Sequence, residues 1–274
     1  MKWKDSLRGE LSEEEIACFT GGFDVLGATA VIEVRPELEH KKEFLAERLM
    51  ELHPHLKTVL RKKSAMKGEY RVREFEWLAG EKTTMAEYRE NGCVFKFDLA
   101  RTYFSPRLST ERARIRGLTQ EGERILALFA GVGPFPIVIS KAKSVQCIGV
   151  ELNPYAAQAM KENVSLNKVG GRVEAVCADA RDFLPAKRSW ADRVLMPLPH
   201  TGADFLDDVI PNQKPGCKIH FYGFGPTGDL YSEAKKLISE KCAAHNRKAV
   251  FEGERMVRPY APRTSQFVVD FVIG

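Results

Sequence analysis

The sequence predicts an α/β protein in which a mostly parallel, doubly wound sheet of seven strands follows a smaller mixed α/β unit. Three observations carry this. After residue 107, five apolar runs alternate with helical segments. The first of these runs ends in the glycine turn "FAGVGPF". The chain then closes on two further extended runs. With 274 residues, 44% hydrophobic and 29% charged, there is enough apolar side chain for one large core and a second, smaller one.

In chain order, a charged helical start leads to "FDVLGATAVIEV" (23–34), which reads as one strand. "PELEHKKEFLAERLMEL" follows as a helix with Phe44, Leu45, Leu49 and Leu52 on one face. "KTVLRKK" and "EYRVREFEWLAG" read as short strands, and "MAEYRENGCVFKFDLARTYFSP" as strand-like alternation running into a turn at Ser105–Pro106. These segments define an expected amino-terminal domain, 1–105. The second, 106–274, opens with "PRLSTERARIRGL", a helix with Ser109 or Thr110 near its start. Its strands are "RILALFA", "VQCIGVEL", "VEAVCAD", "DRVLMPL" and "KIHFYGF". The terminal "RKAVFEGERMVRPYAPRTSQFVVDFVIG" is expected to form a hairpin turning at Pro259 and Pro262. Five strands plus two match a class I methyltransferase Rossmann-like sheet.

Composition excludes several classes. The apolar runs are broken by glycine and proline, short of the roughly 20 residues a membrane span requires. The acidic start lacks a signal peptide's apolar stretch, so a cytoplasmic protein with no membrane contact is expected. Six cysteines without any C-x-x-C pair indicate buried, reduced thiols and no metal site. The net charge of +5 is modest, but "HLKTVLRKKSAMKGEYRVREF" is dense in Lys and Arg around Tyr70 and Phe75, a composition suited to a nucleic-acid backbone or to a solvated face.

The glycine turn locates a ligand pocket. In a doubly wound sheet the ligand lies beyond the carboxyl ends of the central strands, where glycine lets the backbone approach it. Phe129, Gly131 and Gly133 make that turn, and Pro134 and Phe135 stand where a dinucleotide fingerprint would have its third glycine. A ligand without a pyrophosphate is therefore favoured. About 20 residues on, Glu151 ends the second strand, beside Leu152, where a carboxylate accepts both hydroxyls of a ribose. Asp179, beside Ala180, ends the third and is placed to accept an adenine amine. Together they describe an unphosphorylated adenosine, that of S-adenosylmethionine.

At "ENGCVFKFDLARTYFSPRLSTER", "LALFAGVGPFPI", "ELNPYA" and "NVSLNKV", from about residue 23 to the end, the sequence resembles the archaeal and eukaryotic family that methylates N1 of the tRNA guanosine just 3′ of the anticodon. It also resembles the related wybutosine-synthesis enzyme, which transfers the cofactor's aminocarboxypropyl group. The resemblance implies S-adenosylmethionine as cofactor, the tRNA anticodon stem-loop as partner and a monomer. It matches Glu111 to the general base and Arg71 to the cation that stabilises charge on guanine O6. Tyr103, Arg107 and Arg112 match residues lining the guanosine and tRNA pocket. The chemistry is coherent, because guanine N1 carries a proton at neutral pH that a base must remove.

Two departures stand out. In the loop after the fourth strand the family shows N-L-P or N-P-P, whereas this chain has "MPLPHTG". Pro197 replaces the asparagine at this catalytic position, Pro199 keeps the turn beside the cofactor, and His200 offers a substitute polar group toward the substrate. The small amino-terminal domain of longer archaeal members is also expected to be missing. Three readings follow: guanine-N1 methyl transfer, aminocarboxypropyl or methyl transfer to a wybutosine-precursor base at the same position, and a catalytically weak tRNA-binding relative.

Overall fold

The computed structural model describes residues 3–64, 68, 70 and 72–274. The chain divides into two compact units, Met1–Arg89 with Val94–Phe104, and Glu90–Cys93 with Ser105–Gly274.

The first unit begins with two short helices, α1 (Trp3–Ser6) and α2 (Glu13–Cys18). Ser12 caps α2 in a capping box with Glu15. The run 23–34 is not one strand: it folds back at Gly27 into β1 (Phe23–Leu26) and β2 (Thr29–Ile32). Gly27 has φ +62°, and a Cβ there would lie 1.9 Å from the Glu87 carbonyl oxygen, so only glycine allows this turn. A 3₁₀ turn over Pro36–Lys41 precedes α3 (Lys42–Leu52), which buries Leu45, Ala46 and Leu49. Phe44 and Leu52 are only partly covered.

Strands β3 (Thr58–Lys62) and β4 (Phe75–Gly80) complete a sheet in the order β1-β2-β3-β4. Much of the basic stripe on β3 is neutralised by carboxylates of the same unit. Arg61 pairs with Glu39 and Glu76, and Lys62 with Asp24 and Glu33. The segment 85–98 is a hairpin of β5 (Met85–Glu90) and β6 (Cys93–Asp98). Asn91 and Gly92 both have positive φ, the requirement of a two-residue turn matched to strand twist.

In the second unit a 3₁₀ turn, Pro106–Leu108, leads into α4 (Ser109–Leu118). Neither Ser109 nor Thr110 caps this helix. Its cap position is Leu108, and the Ser109 hydroxyl instead accepts from Asn91 Nδ2. The chain then alternates: β7 (Arg124–Leu128), α5 (Pro134–Ala142), β8 (Gln146–Glu151), α6 (Pro154–Leu166), β9 (Val173–Cys177), α7 (Ala180–Phe183) and β10 (Arg193–Met196). It continues through α8 (Leu206–Val209), β11 (Lys218–Pro226), α9 (Ser232–Ala244), β12 (Ala249–Ala261) and β13 (Thr264–Ile273).

The sheet order is β12-β13-β11-β10-β7-β8-β9. Strands β11, β10, β7, β8 and β9 run parallel, and β13 is inserted antiparallel between β11 and β12. This is the expected Rossmann-like methyltransferase sheet. Its strand order reverses at β7, so the crevice beyond the carboxyl end of β7 is the binding position. The terminal hairpin turns only at Pro262–Arg263. Pro259 lies within β12 opposite Ser265, as an edge strand tolerates. No helix among the described residues is long and apolar enough to cross a membrane.

Candidate active site

The turn after β7 is built by backbone conformations that few side chains accept. Phe129, Gly131 and Gly133 all have positive φ, and Gly133 opens α5 with Pro134 in its first turn. A Cβ on Gly133 would lie 2.7 Å from Met160 Cγ, and one on Gly149 of β8 would lie 2.6 Å from Met160 Sδ. Met160 of α6 is thus wedged beneath the turn against two glycines. The close packing that a third glycine gives a dinucleotide site is met here from the neighbouring strand.

Glu151 reaches back to this turn. Its Oε2 accepts from the Gly131 N–H at 2.7 Å and its Oε1 from the Asn153 N–H at 2.9 Å. Burial pushes its carboxyl above the ordinary range, against the pull of these backbone donors. Each oxygen keeps a lone pair, so the group fits a vicinal diol. Asp179 caps α7 through Oδ1, accepting from the Arg181 N–H at 2.7 Å. Ala180 is buried behind it, and Leu152 is half-buried after Glu151. The Arg181 guanidinium lies 4.1 Å from the centre of the Phe205 ring, which packs edge-on at 4.7 Å against Phe129. Of the residues read as cofactor-binding, those from Phe129 to Ala180 follow the carboxyl ends of β7, β8 and β9, and Pro199 lies in the loop after β10. Phe135 is the exception in placement: it is 4% exposed and packs toward Tyr222, with ring centres 6.1 Å apart.

Tyr222 also reaches Glu111. Its hydroxyl donates to Glu111 Oε1 at 2.6 Å, and Glu111 is buried at 3% exposure. Arg114, one turn along α4, donates from Nε and an Nη to both oxygens of Glu111, and to Asp270 at 2.6 Å. Asp270 in turn meets His220 Nδ1 at 2.6 Å, and His220 Nε2 meets Arg193 at 2.5 Å. Arg193 closes the chain on both oxygens of Glu123.

The protonation states follow from donor counting. Arg193 only donates, so His220 Nε2 is an acceptor and the ring is neutral, its proton on Nδ1 facing Asp270. Burial also lowers the His220 pKa. Burial raises the Tyr222 hydroxyl well above its usual range, so it is a neutral donor. Burial alone would raise Asp270, but its bonds to His220 and Arg114 hold it below the ordinary range. Among the described residues, three carboxylates thus face two guanidiniums, and the network carries one net negative charge.

The remaining candidates separate. Arg112 is 1% exposed. It forms a bidentate pair with Glu90 and donates to the Ser105 carbonyl at 3.1 Å, so it does not present itself at an accessible surface. Helical phase explains the difference, because Arg112 projects to a face of α4 other than the one Glu111 and Arg114 share. Arg107 is exposed on the 3₁₀ turn of the second unit, and Tyr103 is 38% exposed in the first. Arg71 lies outside the described residues.

Pro197 centres a tight turn in which the Leu198 N–H donates to the Met196 carbonyl at 2.8 Å, a conformation suited to proline's fixed φ. The Gly202 N–H donates back to the Leu198 carbonyl across Pro199. His200 is exposed, with its ring 4.5 Å from Phe224. Sequence reading missed Tyr222, Arg114, Asp270, His220 and Arg193. Only Arg114, three residues from Glu111 on a helix, carried a local signal.

Comparison with known proteins identifies the family. Residues 86–250 match the family model described as the TRM5/TYW2 methyltransferase domain, and residues 3–83 match the TYW2 N-terminal domain. The chain is 40% identical over 252 residues to the tRNA (guanine(37)-N(1))-methyltransferase Trm5b of Pyrococcus abyssi, covering 92% of this chain and 74% of that one. A solved complex of aTrm5 with tRNALeu superposes with a TM-score of 0.88 at 32% identity, over 100% of this chain and 78% of that one. The Pyrococcus horikoshii TYW2 structure with MeSAdo superposes with 0.84 at 28% identity, over 99% and 97% of the two chains. The chain belongs to the TRM5/TYW2 methyltransferase family.

Proposed function

We propose that the protein transfers a methyl group from S-adenosylmethionine to N1 of guanosine 37 in tRNA. The observation that carries this reading is a buried Glu111 carboxylate, held by Arg114 and Tyr222 in a network with one net negative charge, near the glycine turn that Glu151 braces. When bound, the cofactor supplies an electrophilic methyl on its sulfonium. Glu151 would hold the ribose hydroxyls, and Asp179, whose Oδ1 caps α7, would hold the adenine amine through Oδ2. Glu111 takes the N1 proton, the N1 lone pair would bond to the methyl carbon as the carbon–sulfur bond breaks and its electron pair stays on sulfur, and the network goes from one net negative charge to none. Arg114 and Tyr222 keep the Glu111 carboxylate from rotating. Pro197 offers its carbonyl in place of an amide, and its turn limits how the base is approached from the β10 loop. Arg71, Tyr103, Arg107 and His200 are assigned to the substrate side, and the enzyme acts as a cytoplasmic monomer. Arg112 is assigned to holding the fold.

Labelled cofactor and a tRNA transcript test the reading. Methyl label enters RNA carrying G37 and not the G37→A37 transcript; equal labelling of both, or of neither, overturns it. A second reading is favoured by one observation, the TYW2 match of residues 3–83. It requires that label in the cofactor's carboxyl group, not its methyl, appears in RNA.

The cradle makes its own prediction. Because burial raises the Glu151 carboxyl in the free protein, it protonates at a higher pH than an ordinary carboxyl and then loses acceptor capacity. Cofactor affinity, measured by calorimetry, falls as pH drops toward the acid range, starting above the usual carboxylate value. Glu151→Gln binds about tenfold more weakly at neutral pH, the loss of about one charge-assisted hydrogen bond, and shows a flat profile. A wild-type affinity independent of pH contradicts this role for Glu151.

A further inference from the structure

We propose that His200, Phe224 and Tyr260 form a stacking platform for the unpaired nucleotide flanking the target guanosine, a proposal that rests on the function argued above. The three rings converge from three elements. Phe224 lies near the carboxyl end of β11, His200 follows β10, and Tyr260 comes from the edge strand β12. Ring centres lie 4.2 Å apart for Phe224 and Tyr260, 4.5 Å for His200 and Phe224, and 5.7 Å for His200 and Tyr260.

The neighbouring aromatics Phe221, Tyr222, Phe267 and Phe271 are all at most 4% exposed, whereas Tyr260 is 45% exposed. Its exposure is built into the strand. On β12, Arg258 pairs with Gln266, Pro259 with Ser265 and Ala261 with Thr264, which leaves Tyr260 as an extra residue with no partner on β13. A bulge of this kind re-aims one side chain out of the ladder. Arg258, fixed by a 2.9 Å bond from Nε to Gln266 Oε1, sets its guanidinium 5.8 Å from the Tyr260 ring centre. No carboxylate pairs with Arg258 among the described residues. Exposed aromatic faces with an unneutralised arginine are the composition that stacks unpaired bases and holds their phosphates.

Position identifies which base. Tyr222, whose hydroxyl marks Glu111, and Phe224 are two residues apart on β11 and so share a face, roughly 7 Å apart along the strand. The platform is therefore displaced from the proton acceptor by about one side-chain row, beside the target base and not under it. Exposing N1 requires drawing guanosine out of its stack, which leaves a neighbour's face uncovered. The rings replace that lost stacking.

The test uses the full chain and anticodon stem-loop RNAs that are intact, or abasic at position 36 or 38. Loss of one base stack predicts that Tyr260→Ala raises both Kd and KM roughly 5- to 100-fold, with kcat changed by less than about twofold. Tyr260→Phe behaves as wild type. With one of the two abasic RNAs the Tyr260→Ala penalty shrinks to less than about twofold. His200→Ala shows the same dependence on the abasic position, a second reading should Tyr260→Ala perturb the hairpin. Unchanged binding in both alanine variants, or a penalty that persists with both abasic RNAs, overturns the proposal. Because Kd needs no turnover, absent methyl transfer by the wild type would refute the function reading without obscuring this result.

Discussion

Glu111→Gln lowers single-turnover methyl transfer by about 10²- to 10⁴-fold, the contribution expected of a positioned general base. Affinities for cofactor and tRNA stay close to wild type. The amide occupies the same space beside Tyr222 and Arg114 but has no basic oxygen. The variant also carries a signature that a merely structural glutamate would not. Substitution removes the one uncompensated charge of the network formed by Glu111, Arg114, Asp270, His220, Arg193 and Glu123. Its thermal stability is therefore equal to or above that of the wild type, in line with the cost of unpaired buried charge. A variant both inactive and markedly less stable would assign Glu111 to the fold.

Arg112→Met produces the opposite pattern. Arg112 and Glu90 are both nearly inaccessible, and no other cation is bonded to Glu90 among the described residues. Removing the guanidinium strands a buried carboxylate and costs about 3–5 kcal/mol of unfolding free energy. Urea denaturation followed by fluorescence measures this. The double variant Glu90→Leu with Arg112→Met recovers most of the loss, because an apolar pair leaves no uncompensated charge. A single variant within about 1 kcal/mol of wild type would show that Arg112 does not hold the fold and would return it to the substrate side.

These neighbouring residues show how far a sequence pattern reaches. "STER" places Glu111 and Arg112 side by side, and a resemblance assigns both to the substrate. Helical phase then sends one toward β11 and β13 and the other toward Glu90. The glycine turn, Glu151 and Asp179 were legible because each is a local event at a strand end, with spacing set by one βαβ unit. The parallel strands were legible for the same reason. The break at Gly27 was not, since the Glu87 carbonyl that bars any side chain there is distant in the chain. The Asn91–Gly92 turn was present as a plain signal that the surrounding alternation masked.

The charge network was illegible from sequence. Arg114 and Asp270 are 156 residues apart, and His220 and Asp270 sit inside runs whose apolar neighbours read only as strand. The topology unites them by inserting β13 next to β11. Tyr260 was hidden in another way: it sits in a strand pattern, and only the register shows it to be the unpaired residue of a bulge.

The most direct measurement is the mass and methylation position of nucleoside 37 after wild-type protein, S-adenosylmethionine and an unmodified G37 transcript react. The expected product is guanosine with one added methyl, at N1. An aminocarboxypropyl adduct, a methyl at another ring position, or unmodified guanosine would contradict it.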